Sequence, residues 1–526
     1  MFSSVLYFAI ATIPFLFGFG SSYEILGLFA FPARSHYAVF DPLLVALASR
    51  GHNVTVYNTF PKKYSLANYR EVDISHCFHL PDILTIPQMQ SGATNGFDNL
   101  DQVFRFKPSY DEIKNCKQVM ELMNTTTKYD LVITESFNHD FFLLFGWLFG
   151  IPTIAMHSNS PFTWTADNNG LPYNPSYIPN FIRDFPVRMN FPERVENLML
   201  NLYSLFLYNR HLNVYDEMAK QIFGPEVHPL EDVARNASVL FLYEHFSLSS
   251  RRPMVPNVVQ IAGLNIKPAN SLDKNIEKFI NESKHGVVYF CMGSLLRGET
   301  FPPEKREAFL YAFSKIPQRV LWKWEGDVLP GKSDNIMISK WMPQRDILAH
   351  PNVKLFISHG GLLGTSEAVY EGVPVLGIPI FGDQRTNIKS LEANGAGELL
   401  DYNEISKEVV LEKIQRLLND PKYKENAKLL SDRYRDRPMS PLDTAVYWTE
   451  YVIRHKGAPH LRTAAADMPW YQYLLLDVIA FIVAVLVAGL LIIYYTTKFI
   501  LRAIYGLICG GGAKKGSSKS DKKKRN

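Results

Sequence analysis

"ISHGGLLGTSEAVYEGVPVLGIPIFGDQ", residues 357–384, reads as a buried apolar strand, a paired glycine, a helix and a second apolar strand ending at Asp383-Gln384. A strand–helix–strand unit of this length joins parallel neighbours in a doubly wound sheet. In such sheets ligands gather at the carboxyl ends of the strands, so His359, Gly360 and Gly361 share one edge with Asp383 and Gln384. The glycines let backbone approach a phosphate, and the helix start offers free N–H groups and a positive dipole end. Asp383 and Gln384 bring acceptors and an amide suited to the hydroxyls of a neutral polyol.

Two more loops point to the same edge. "CMGSLLRG" places Gly293 and Ser294 after a strand, a second contact for a diphosphate. "SKWMPQRDIL" places Trp341 and Gln344 at a strand-to-helix turn, where an indole can stack on a flat base and an amide can read its edge. Together these loops describe a site for a nucleotide-diphosphate sugar.

Strand-like and helix-like segments alternate on both sides of this unit. "EILGLFAF", "HNVTVYN", "YDLVITES" and "IPTIAMHS" form one parallel set, and "GVVYFCMGS", "RVLWKWEG", "NIMISKW", "VKLFISHGG" and "VPVLGIPIF" a second. The fold class is α/β, with one doubly wound domain over residues 23–255 and another over 276–460. Prolines and the loss of helical period set a linker at 256–275. The stretch from Phe185 to Arg210 mixes apolar and basic residues and reads either as an amphipathic patch on a membrane or as helices packed on the first domain.

Residues 339–387 closely resemble the signature of the UDP-glycosyltransferases, the inverting two-domain type that includes vertebrate glucuronosyltransferases. The likeness runs from "EILGLFAFPARSH" through the terminal span, and "HNVTVYNTFPKK" and "RDRPMSPLDTAVYWTEYVIRHKGAPHL" look like arthropod members. The resemblance implies a GT-B fold, two Rossmann-like domains facing a cleft, the first for acceptor and the second for UDP-sugar. It implies Trp341 on uracil, Gln344 on base or ribose, Ser294 and His359 on the diphosphate with Gly293 and Gly361 beside them, Glu367 on the ribose, and Asp383 and Gln384 on the donor sugar. Leu363 departs from the asparagine common in the family, leaving the diphosphate to His359 and the helix N-terminus.

The family's general base is a histidine after the first strand, and His36 in "FPARSHYAVF" matches it. A histidine base needs an orienting carboxylate. "VITESFNHDFF" offers two: the place directly after the strand, used by many family members, favours Glu135, and likeness to arthropod members favours Asp140 in "NHD", which is taken as the expected acid with Glu135 as the alternative. The resemblance also implies a cation for a glucuronate carboxylate near the end of the first domain, where Phe241 stands. The expected reaction is inverting transfer of glucose from UDP-glucose to a hydroxyl of a small lipophilic acceptor. UDP-glucuronate, or a lipid or glycan acceptor, is the alternative. No metal or other cofactor is expected, since the chain has no Asp-x-Asp and no His/Cys cluster at ligand spacing.

An apolar N-terminus, residues 1–22, reads as a signal peptide. Residues 461–473 are juxtamembrane, and 474–497 read as a transmembrane helix, with 18 uncharged residues from Val478 to Tyr495. From Lys498 the tail carries nine basic residues and one acid, so the net +4 of the whole chain leaves about −4 on the body. Nucleic-acid binding loses its support, and the tail, 498–526, is expected in the cytosol. Lys523 and Lys524 resemble a dilysine retrieval address, and Asn53, Asn124, Asn236 and Asn281 begin glycosylation triplets compatible with a lumenal body. The chain is thus expected to be a single-pass type I protein of the endoplasmic reticulum membrane, with a homo-oligomer left open. Cys77 and Cys116 are a candidate disulfide pair.

Overall fold

The computed structural model describes residues 22–62, 66–79, 85–91, 95–104, 108–186, 188–249 and 251–509. The expected signal peptide, part of the acceptor loops between Pro81 and Phe106, and the tail beyond Cys509 lie outside the described residues. The chain divides into a body ending at Ala466 and a second unit from Asp467 onward.

The body holds two fully parallel sheets. The first orders its strands β3-β2-β1-β4-β5-β6-β7, with β1 (Glu24–Phe29), β2 (Asn53–Asn58), β3 (Tyr69–Asp73), β4 (Leu131–Glu135), β5 (Thr153–His157), β6 (Val239–Leu242) and β7 (Val258–Gln260). The second runs β10-β9-β8-β11-β12-β13, with β8 (Val287–Cys291), β9 (Arg319–Lys323), β10 (Ile336–Ser339), β11 (Val353–Ser358), β12 (Val375–Gly377) and β13 (Gly397–Leu399). Continuous apolar runs form these strands because both faces are covered. Along β1, Ile25 and Phe29 enter one core cluster while Leu26 and Leu28 enter another. Along β8, Val287, Tyr289 and Cys291 face one core, and Val288 and Phe290 the other.

Strand order reverses between β1 and β4 in the first sheet and between β8 and β11 in the second. A crevice opens at such a reversal, since the flanking connections leave in opposite directions. Each half therefore carries one ready-made ligand site.

One apolar cluster runs unbroken from the first sheet through Ile261, Leu264 and Ile276 to Val287 and Val369 of the second. The helix Pro441–Arg454 closes the body by returning to the first half, where Glu450 accepts from Arg50 Nε (2.7 Å) and lies 3.3 Å from His52. Cys77 and Cys116, 39 residues apart, form a disulfide. In the second unit a helix of 34 residues, Leu476–Cys509, is long and apolar enough to cross a membrane. It runs on past Lys498 and Arg502, beyond the span read from sequence.

Candidate active site

His36 lies in the first turn of α1 (Arg34–Ser49), directly after β1. Its Nδ1 is 2.7 Å from Glu135 Oε1 and 2.9 Å from Ser158 Oγ. Glu135 ends β4 and Ser158 follows β5, so three neighbouring strand ends meet at one imidazole. With the Nδ1 proton directed at Glu135, Nε2 keeps its lone pair and can accept a proton.

The pairing of His36 with Asp140 expected from sequence is not formed, and Glu135 takes that place. Asp140 turns inward, accepting from Ser136 Oγ (2.5 Å) and Tyr208 Oη (2.5 Å), and burial pushes its carboxyl up. Its network ties the loop after β4 to α2 (Phe191–Phe223). His157 braces the same loop, with Nδ1 2.6 Å from Ser136 O, and burial pushes its imidazole down to about 4.

Aromatic side chains wall the base. Phe31 and Phe137 lie 4.5 and 4.7 Å from the His36 ring, and Phe162 packs at a tilt behind Phe137. These surfaces line one side of a cavity of about 600 Å³ that both halves share.

The opposite side combines a glycine-rich loop with side chains. His359 follows β11 at the strand reversal and is clasped between glycines. A Cβ on Gly293 would come within 2.6 Å of its ring, and one on Gly361 within 2.5 Å. Gly293 also has φ +85°, a region that favours glycine. Burial, then the nearby Lys323, pushes His359 down to about 4, so it is a neutral hydrogen-bonding group near pH 7. The helix α3 (Leu362–Glu371) starts here without a side-chain cap, leaving its first N–H groups for a ligand.

Gln344 Nε2 donates to Glu367 Oε2 at 2.7 Å, fixing the amide and acid expected on base and ribose. Burial pushes the Glu367 carboxyl up, against that hydrogen bond. Trp341 stands 65% exposed on the rim, its indole free to receive a flat ring. Ser294 and Leu363 also line the cavity. Asp383 accepts from Asn387 Nδ2 (2.7 Å), and burial pushes its carboxyl up against the pull of Asn387, His36 and Asn159. The last two belong to the first half, so Asp383 faces the base across the cavity. Gln384 uses its carbonyl on the backbone N–H groups of Ile380 and Phe381, which leaves its amide nitrogen to offer.

Two residues were not singled out from sequence. Ser158 completes the His36 contacts, and Lys323, 8% exposed at the end of β9, donates to Gly293 O (3.0 Å) and Glu325 (2.6 Å). Lys323 sets its amine against the Gly293 loop, and a lysine ending an apolar strand was the one signal that pointed to it. Phe241 does not reach the cavity at all. It is fully buried in β6, paired with Met156, so its identity says nothing about the donor sugar. Among the described residues no group of three or more His, Cys, Asp or Glu is placed to hold a metal ion.

Residues 30–510 match the family described as UDP-glucoronosyl and UDP-glucosyl transferase. The chain is 59% identical to UDP-glycosyltransferase UGT5 of Dactylopius coccus, covering 97% of this chain and 98% of that protein. It is 41% identical to UDP-glucosyltransferase 2 of the same insect, over 96% of both. UDP-glucuronosyltransferase 2B10 of Homo sapiens is 37% identical over 73% of this chain and 72% of its own length. Among solved structures, a UDP-glucose:anthocyanidin 3-O-glucosyltransferase in complex with UDP superposes with TM-score 0.54 at 17% identity, over 83% of this chain and all of that one. At that identity the likeness concerns the fold, which is GT-B.

Proposed function

The chain belongs to the UDP-glucuronosyl and UDP-glucosyl transferase family, and on that premise we propose that it moves glucose from UDP-glucose to a hydroxyl of a small lipophilic acceptor, with inversion. The observation that carries this reading is the His36–Glu135 pair at 2.7 Å, aimed into a cavity whose far wall holds Asp383 and the glycine-bound His359.

The acceptor hydroxyl lies against the Phe31 and Phe137 wall and gives its proton to His36 Nε2. Glu135 steadies the imidazolium that results. The freed oxygen attacks the anomeric carbon while the bond to UDP breaks on the opposite face. Charge developing on the diphosphate meets the α3 N-terminus, His359, Ser294 and the nearby Lys323 ammonium. Trp341, Gln344 and Glu367 hold the nucleoside, and Asp383 and Gln384 the sugar. The apolar helix anchors the enzyme in a membrane, with its basic end cytosolic.

Support for glucose comes from the insect relative named as a glucosyltransferase, which is more similar than the human glucuronosyltransferase. Microsomes carrying the chain, supplied with each donor and a panel of lipophilic alcohols and phenols, test the assignment by mass detection of conjugates. Turnover on UDP-glucose is expected to exceed that on UDP-glucuronate at least about tenfold. The reverse ratio removes the donor assignment, and no conjugate from either donor removes the reading.

A further inference from the structure

The helix α2 presents to solvent what a surface helix ordinarily hides. Its body-facing side is already seated: Leu200, Leu207 and Leu212 enter the core, Asn197 Nδ2 donates to the carbonyls of Pro175 (2.8 Å) and Ile178 (2.9 Å), Asn201 Oδ1 accepts from Thr163 Oγ1 (2.7 Å), and Tyr208 bonds Asp140. Its outward side is apolar: Phe191, Val195, Leu198, Met199, Leu202 and Phe206 are all exposed, Phe191 by 70% and Phe206 by 59%. At 100° per residue these six fall within an arc of about 100°, along about 22 Å of helix. An amphipathic surface helix has one apolar side, turned to the core, whereas this one carries a second, turned outward. Core packing and hydrogen bonds together seat the helix, so the outer apolar face is left for something outside the body.

The charges beside the stripe say what that is. Arg188, Arg194 and Arg210 stand exposed along it. The nearby acids are engaged, Glu193 with the Asn190 N–H (2.7 Å) and Glu196 with Arg183 (3.0 Å). An apolar stripe with an arginine rim fits the boundary between lipid headgroups and acyl chains, with anionic lipid favoured. The chain also brings a bilayer with it. Nine residues, 467–475, separate the body from the apolar helix Leu476–Cys509, a reach of about 30 Å when extended. That tether holds lipid at high effective concentration.

We propose that α2 lies in the surface of a lipid bilayer, stripe inward, as a second membrane contact of the chain. The inference rests on reading Leu476–Cys509 as a span. To test it, full-length chain on a Cys509→Ser background is placed in nanodiscs of phosphatidylcholine and phosphatidylserine and spin-labelled at Leu202→Cys, Phe206→Cys or, for reference, the exposed Lys284→Cys. The ratio of oxygen to nickel-chelate collisions is expected to be about fivefold higher at the two stripe positions than at Lys284. Equal ratios at all three, with the chain still in the disc, would overturn the proposal. So would strong dipolar broadening between Leu202 labels, which would assign the stripe to a second copy of the chain. Loss of the chain from the disc fraction would refute the span itself, and the inference with it.

Discussion

The two sheet edges that enclose the cavity solve different problems with different chemistry. The first works through side chains. His36, Glu135 and Ser158 come from three strand ends and meet within 2.9 Å, and moving any one of them changes where a proton sits. The second adds backbone to its side chains. Glycines at 293 and 361 press against His359, and α3 begins uncapped beside it, so much of its hold on a ligand needs no side chain. On the proposed mechanism one edge moves a proton and the other holds a charged group still. Substitutions should therefore separate the two sharply.

The largest separation is expected at His36. His36→Ala should lower turnover at least about 100-fold while leaving UDP affinity within about twofold, read by steady-state rates and by UDP titration. Near-normal turnover would remove His36 from the proton transfer.

Next comes the choice of acid. Glu135→Gln should cost about 10- to 100-fold in turnover, because the imidazolium loses its counter-charge. Asp140→Asn should mainly lower the melting temperature, since its carboxylate bonds Ser136 and Tyr208 rather than the base. If the two variants exchanged these phenotypes, the pairing seen in the structure would not be the working one.

The smallest effect belongs to the second edge. Trp341→Ala should weaken UDP binding about tenfold, in line with the loss of one aromatic stack, and leave turnover at saturating donor nearly unchanged. A fall in turnover without loss of affinity would place the indole elsewhere in the reaction.

The same contrast explains what the sequence made legible. The donor edge is written within a few dozen consecutive residues, where glycines, a histidine and an acid-amide pair fall at strand ends with fixed spacing. Its expected residues line one cavity. The place of His36 at the cavity was legible too, because it follows the first strand directly. Its carboxylate partner was not, since Glu135 ends β4 and Asp140 stands in the loop just after it, and which turns toward His36 depends on how that loop folds under His157 and Tyr208. Lys323 escaped notice because a lysine that ends an apolar strand ordinarily marks the strand's exit to solvent, whereas this one stays buried. The argument from Phe241 failed for a related reason: position along the chain placed it near the cleft, but strand alternation points it into the core.

The return of the helix Pro441–Arg454 to the first half carries a lesson for anyone recombining these proteins. A chimera cut in the linker near residues 256–275 would seem to exchange whole halves, yet it would part Glu450 from Arg50 and His52. That closing helix is an heirloom of the half it touches, not of the half it follows, and a working graft must carry it along with residues 23–255.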